Sequence, residues 1–248
     1  MKTYTLLIFV IFSLPTYSQS KTYNYEITYT ENILSKKDTV SLIVNNNCSF
    51  YFSKNNIKNN TKKLIDAKTG NFKVDIKTNN FVHKTNQMIL SSEHIFNKRF
   101  LVTDSLINQK WQVTPEIKRM LGYSAYKAIG SYKGRNYIVW FTTEIPVNNG
   151  PWKFGNLPGL IIKVEDEDKE VFFDLLSIKN LNNDYCNKLV NTLTKENIIT
   201  RNEYESLWRK KLQEFKKFIN SSTQEKDAQI DTKIKINLIE KSILEDEN

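Results

Sequence analysis

The 248 residues include 36 Lys and Arg against 27 Asp and Glu, a formal net charge of +9, and 40% of them are hydrophobic. A chain of this length buries a substantial core without help from disulfides, which excludes a disulfide-scaffold miniprotein. The basic balance raises nucleic acid as a partner, but no nucleic-acid motif accompanies it, so the excess reads as a Lys- and Asn-rich solvated surface and nucleic acid is set aside.

Residues 1–20 have the order of a secretory signal. Lys2 precedes the apolar run Leu6-Leu7-Ile8-Phe9-Val10-Ile11-Phe12, Leu14-Pro15 breaks it, and Thr16-Tyr17-Ser18-Gln19-Ser20 follows. The run is too short to cross a bilayer, which takes about 20 residues, and no later window is apolar enough for a transmembrane segment. The expectation is an exported protein in the periplasm, at the outer membrane or outside the cell. Its organisation reads as the signal at 1–20, a single β-rich domain at 21–220 and a charged tail at 221–248.

Strand follows strand through the first part of this domain. Tyr23, Tyr25, Ile27 and Tyr29 alternate with Asn24, Glu26 and Thr28, the period-2 pattern of a half-buried strand. Further strands are expected at 40–44, 49–52, 72–76, 87–90, 100–103 and 110–114, separated by Asn-, Lys- and Asp-rich loops, with a hairpin turn at Lys68-Thr69-Gly70-Asn71. Segments 125–132 and 136–142 flank the short turn Lys133-Gly134-Arg135, and Pro146 lies beyond the second of them. Segments 160–164 and 171–176 flank Asp166-Glu167-Asp168, which reads as a solvated hairpin tip. Short turns between strands argue for an antiparallel meander. Cys48 and Cys186 match no zinc or redox spacing, and read as two buried thiols, with a bridge closing a long loop as the alternative.

One helix is expected near 200–219. Thr200-Arg201-Asn202-Glu203 fits a capping box, and Tyr204, Leu207, Trp208, Leu212, Phe215, Phe218 and Ile219 recur every three or four residues. The helix reads as packed on the sheet with its lysines in water, rather than lying on a membrane. A short strand is suggested at 234–239 within the tail.

Catalytic templates fail. His83 and His94 form no H-E-x-x-H pattern, and no G-x-S-x-G elbow, P-loop or dinucleotide fingerprint is present. A zinc site from these histidines with Cys48 and Cys186 is not favoured. Paired carboxylates cannot be picked out by spacing, because such pairs meet only in the fold. No catalytic residue, metal ligand or cofactor is assigned.

The stretch 111–162 stands out, because it holds Trp111, Trp140 and Trp152. In its central strand Tyr137, Val139 and Phe141 point one way and Ile138 and Trp140 the other, so the strand is buried on both sides or lines an apolar groove. Trp152 and Phe154 then precede Leu157-Pro158-Gly159-Leu160, which suits a type II turn with Gly at positive φ. These aromatics read as a core plug or, alternatively, as a binding rim of Arg135, Tyr137, Trp140, Trp152, Phe154, Leu157, Pro158 and Gly159.

Asn156-Leu157-Pro158-Gly159-Leu160-Ile161 resembles the signature of the GLPGLI family of exported proteins. Trp111, Gly122-Tyr123, Lys127-Ala128, Gly134-Arg135, Tyr137, Trp140, Thr142, Ile145-Pro146, Gly150-Pro151 and Lys153-Phe154 follow that family's usual order. Asn156 replaces the first signature Gly, which Asn's tolerance of left-handed φ accommodates, and Ala125 stands where many members have Cys. The resemblance implies a cell-envelope protein with no established activity, sometimes associated with TonB-dependent uptake.

The expected architecture is mainly β: a strongly curved antiparallel sheet or partly open barrel with one C-terminal amphipathic helix packed on it, or alternatively an antiparallel β-sandwich. The leading functional expectation is a non-enzymatic role in binding an apolar or peptidic ligand or an outer-membrane transport partner. The alternatives are a hydrolase or peptidase-like enzyme with a dispersed site, and a purely structural accessory protein.

Overall fold

The structure is a computed structural model, and it describes residues 23–54, 80–85, 87–106, 109–190 and 198–222. The expected signal, the strand at 72–76, the turn at 68–71 and the tail beyond 222 lie outside the described residues.

A first meander comprises β1 (Asn24–Ile33), β2 (Lys36–Asn45), β3 (Ser49–Ser53), β4 (Phe81–Lys84), β5 (Met88–Ile95) and β6 (Lys98–Ser105). A second comprises β7 (Gln112–Met120), β8 (Tyr123–Tyr132), β9 (Arg135–Thr142), β10 (Leu160–Asp166) and β11 (Val171–Asn180). They fuse where β1 pairs antiparallel with β11. A short strand, β12 (Ile198–Thr200), adds in parallel to β6. The result is one open, curved sheet of 12 strands in the order β12-β6-β5-β4-β3-β2-β1-β11-β10-β9-β8-β7. The curved-sheet expectation holds, and the sandwich alternative does not.

Period-2 alternation fills both faces. On β2, Val40, Leu42 and Val44 join the main core, while Ile43 between them joins a second cluster. On β3, Tyr51 goes to the first and Phe50 and Phe52 to the second. The main core wraps the inner face around Val147, Phe154 and Leu157 of the loop between β9 and β10. The second cluster lies under α1 (Tyr185–Val190), where Cys48 and Cys186 form a disulfide, so the reading of two free thiols is corrected. Asn45 and Asp184 share a hydrogen bond of 2.8 Å that holds the helix against β2 as well.

The expected helix is α2 (Arg201–Ser222). Its capping box forms: the Glu203 N–H donates to Thr200 Oγ1 at 3.3 Å, and the Glu203 carboxylate accepts from the Thr200 N–H at 2.7 Å. Tyr204, Trp208 and Leu212 face the protein, whereas Leu207 and Phe218 do not. Tyr204 packs on Ile95, Phe100 and Val102, and its hydroxyl donates to the His94 carbonyl at 2.9 Å. No described helix is long and apolar enough to cross a membrane. The segment expected to be a strand only at 110–114 is the longer edge strand β7, which tolerates Pro115 because an edge position has a free donor side.

Two turns differ from expectation. The Gly159 N–H donates to the Leu157 carbonyl at 2.8 Å, which makes a three-residue turn about Pro158, and Gly159 sits at φ +154 rather than at the third position of a type II turn. Asp166 is buried, not a solvated tip. It accepts from the Glu170 and Val171 N–H groups at 2.8 Å each and pairs with Arg135 at 2.6 Å.

Candidate functional site

The inner face carries a polar row where its apolar positions run out. Glu31 continues the Ile27–Tyr29 face of β1, and Asp38 precedes Val40 on the same face of β2. Hairpin register makes Glu31 and Asp38 direct cross-strand partners, an arrangement in which like charges repel. The Tyr51 hydroxyl on the next strand donates to Glu31, and Ser53 donates to Asp38. Burial pushes the Glu31 carboxyl up to about 7; the Tyr51 bond opposes this and the Asp38 charge adds to it.

Glu93 holds the opposite wall together. Lys153 reaches it at 2.6 Å, Arg201 at 3.0 Å from one guanidinium nitrogen and closer from the other, and Ser91 at 2.5 Å. Burial alone would raise this carboxyl, yet the two cations hold it well below the usual range. Arg201 also bonds Asp104 at 3.2 Å, and Lys133 reaches that carboxylate at 2.9 Å. Helix α2 is thereby tied to the sheet and to the loop between β9 and β10.

Between these walls lies a cavity of about 420 Å³, lined by Glu31, Asp38, Tyr51, Glu93, Trp152 and Trp208 among others. It presents a carboxyl that gives up its proton near neutral pH, a second carboxylate opposite it and two half-buried indoles. Such a pairing suits proton transfer to and from a polar substrate that also has apolar faces.

Of the eight residues singled out in the sequence, Trp152 lines this cavity. Phe154 is fully buried beneath it, with its ring 5.3 Å from Trp152 and 4.8 Å from Tyr137. Tyr137 is buried in the core, and Trp140 is covered by the Lys118 ammonium at 4.7 Å. Arg135 is sequestered by Asp166, Asp168 and Glu170. Leu157 and Pro158 border a different cavity, and Gly159 packs against Thr142. The structure therefore divides these residues among the Glu31 cavity, the core, the paired ends of β9 and β10 and a second cavity. Trp111 donates to the Gly155 carbonyl at 2.8 Å, and Gln109 donates to the Lys153 carbonyl at 2.6 Å. Asn156 takes the left-handed φ of 62 that its position needs.

Sequence reasoning missed Glu31, Asp38 and Glu93. The first two were within reach, because the alternation of β1 continued to Glu31 and a turn at Leu34-Ser35 put Asp38 opposite it. Glu93 had no local signal, since its partners lie 60 and 108 residues away.

Among the described residues, two groups of side chains have metal-like spacing, Cys48 with His83 and Cys186, and Asp166 with Asp168 and Glu170. The first has its sulfurs joined to each other, and the second already surrounds the Arg135 guanidinium.

Residues 23–197 match the family described as the N-glycanase peptide, N-terminal domain. Among solved structures the chain resembles PNGF-II in its P21 crystal form, with a TM-score of 0.52 and 22% identity over 76% of this chain and 33% of that one. The C2 form gives a TM-score of 0.51 and 22% identity over 72% of this chain and 31% of that one. The chain thus spans about a third of PNGF-II, and at this identity the likeness concerns the fold. Against curated proteins the chain finds no match. The family match overturns the GLPGLI assignment and, with it, the non-enzymatic role in apolar-ligand or transporter binding. Physically, the Leu157-Pro158-Gly159 run is a tight turn pressed against Thr142, so backbone geometry accounts for its residues.

Proposed function

The chain belongs to the family of N-glycanase N-terminal domains, and from this premise we propose that it serves the hydrolytic removal of N-linked glycans, with the Glu31–Asp38 cavity as its substrate site. The observation that carries the reading is the cross-strand carboxyl pair, one member titrating near 7, in a cavity walled by Trp152 and Trp208. Sugars expose C–H faces that stack on aromatic rings and hydroxyls that bond carboxylates, and the cavity offers both. Water adds to the carbon of the scissile C–N or C–O bond. Asp38 accepts the water's proton, and the leaving nitrogen or oxygen takes the proton of Glu31.

Trp152 is the aromatic wall of this site, and Tyr137 and Phe154 hold it from beneath. Leu157, Pro158 and Gly159 shape the loop between β9 and β10, whereas Arg135 and Trp140 serve β9 outside it. The Cys48–Cys186 disulfide and a glycoprotein substrate both suit an exported protein, and we place it outside the cytoplasm.

The test is incubation of the full chain with a glycopeptide bearing one N-linked glycan, followed by mass spectrometry. Released glycan is expected, and Glu31→Gln should slow release by roughly 10²-fold or more. An aspartate left on the peptide identifies amide hydrolysis, and a residual sugar on asparagine identifies glycosidic hydrolysis. Absence of release, or release that Glu31→Gln does not alter, overturns the proposal.

A further inference from the structure

Lys84 occupies an inner-face position of β4, two residues beyond the core residue Val82, and is 1% exposed. Its ammonium donates to the carbonyls of Gly150 and Phe154, both at 2.7 Å. An ammonium carries three N–H donors, and the third has no acceptor among the described residues. None of their carboxylates lies within ion-pair distance either. A buried cation without a counter-ion is unfavourable, and burial holds this amine's pKa well below its ordinary value, so an anion seated beside it would favour the charged form.

Lys84 borders a cavity of about 520 Å³ on the far side of the plug loop from the Glu31 site. The volume accommodates a monosaccharide. Its lining includes Tyr23, Asn47, Asn148 and Pro158 but no carboxylate. The Tyr23 ring is steadied by stacking on Tyr25 at 5.6 Å. The side-chain amides of Asn47 and Asn148 make no hydrogen bond to a described residue, and each offers a donor and an acceptor, the combination that matches sugar hydroxyls. The cavity thus joins a buried amine without a counter-ion to two exposed amides with donor and acceptor capacity, and among the described residues its lining includes no carboxylate.

We propose that this cavity is a second binding site, for a carboxylate-bearing sugar whose acid group pairs with Lys84 and whose hydroxyls bond Asn47 and Asn148. The choice of a sugar rests on the N-glycan reading above; the choice of an anion rests on Lys84 alone. A bound carboxylate supplies the missing counter-charge and accepts the third N–H.

Titration calorimetry of the full chain with glucuronate, glucose and inorganic sulfate tests it. Glucuronate should bind at least roughly tenfold more tightly than either control. Lys84→Met should abolish that preference. Asn148 is exposed, so Asn148→Asp keeps the fold and should weaken glucuronate several-fold by like-charge repulsion even if Lys84→Met fails to fold. Equal binding of glucose or sulfate, no binding of glucuronate, or a preference that survives Asn148→Asp and a folded Lys84→Met overturns the site. Binding is read without glycan release. A chain that binds glucuronate and cleaves nothing therefore refutes only the hydrolytic reading, and one that cleaves and does not bind refutes only this site.

Discussion

Arg201 opens helix α2 and meets Glu93 of β5 across 108 residues of sequence, donating to its carboxylate from both terminal guanidinium nitrogens. The pair is nearly dry, and Lys153 from the plug loop shares the same carboxylate. Three separate segments therefore converge on one negative charge.

Glu93→Gln removes that charge from between Lys153 and Arg201, although Arg201 keeps Asp104. The expected loss is about 3–5 kcal/mol of unfolding free energy, because breaking a buried ion pair by removing one partner costs more than the contacts deleted. Arg201→Met combined with Glu93→Gln should cost less than the sum of the two, as contacting residues do in double-mutant cycles. The Glu93 carboxyl is held below its ordinary value of 4.5 in the folded state, so its contribution is present above that pH and disappears as pH falls below it. Urea melts from pH 3 to 8 measure both effects, and a Glu93→Gln protein as stable as wild type at neutral pH would refute the account.

Glu31 has the opposite sign. Its folded carboxyl is raised to about 7 from 4.5, so the folded state binds the extra proton. The stability it confers is complete below pH 4.5 and is lost as pH rises through 7. Glu31→Gln should remove this fall and stabilise the protein at pH 8 by roughly 1–3 kcal/mol, while glycan release declines. A variant that is more stable and less active separates a catalytic group from a structural one; melts at pH 5 and pH 8 beside the release assay decide it.

The alternation that gave β1, β2, β9 and α2 was legible because each buries one periodic face, and the capping box at Thr200 announced the helix start. The pairing of β1 with β11 was not legible, since it joins Tyr25 to Asn180 with no local turn to fix register. Helix α1 was missed because six residues give less than two helical turns of pattern. The aromatic stretch was visible, but how its rings divide between cavity and core was not. Trp152 does face a cavity, whereas Phe154 and Tyr137 serve the core. The carboxyls were passed over because isolated Glu and Asp on strands look like solvated positions until register brings them together.

At the helix start, Thr200→Ala deletes the acceptor of the Glu203 N–H and should cost roughly 0.5–2 kcal/mol. Trp208 is only half-buried, with its ring 6.0 Å from Phe96. Trp208→Ala should therefore cost about 1–2 kcal/mol, below the value for a fully enclosed Trp. Chemical denaturation of the two variants checks this, and a loss at Trp208 above about 4 kcal/mol would mean that the indole is a core residue and not a cavity wall.

Gly159 is fixed by what surrounds it. A Cβ there would lie 2.1 Å from the Thr142 carbonyl oxygen and 2.7 Å from its carbon, both backbone atoms. Gly159→Ala should cost at least about 3 kcal/mol, because overpacking against backbone has no side chain to displace. Gly122, at φ +87 with nothing within 4 Å, is the control for backbone strain alone. Gly122→Ala should cost only about 1 kcal/mol. Thermal melts of the pair distinguish overlap from strain, and equal losses would refute the assignment.

Trp152 carries two effects that different substitutions separate. Its backbone sits at φ 47, a left-handed conformation that a side chain disfavours. Its ring packs edge-on against Phe154 at 5.3 Å and Tyr132 at 6.2 Å, while its exposed part borders the Glu31 cavity. Trp152→Ala loses the ring contacts and keeps the strain, so about 1–2 kcal/mol of stability should go. Trp152→Gly loses the same contacts and relieves the strain, so it should be more stable than Trp152→Ala by about 1 kcal/mol, the reverse of the usual order of Ala and Gly. Both should weaken binding of an N-glycan-bearing peptide by at least roughly tenfold, and Trp152→Phe should restore part of it by returning an aromatic face. Denaturant melts report the backbone term, and a binding isotherm with Glu31→Gln as the background reports the ring without turnover. Unchanged affinity in both small variants would remove Trp152 from the substrate site and leave it as the upper layer of the plug.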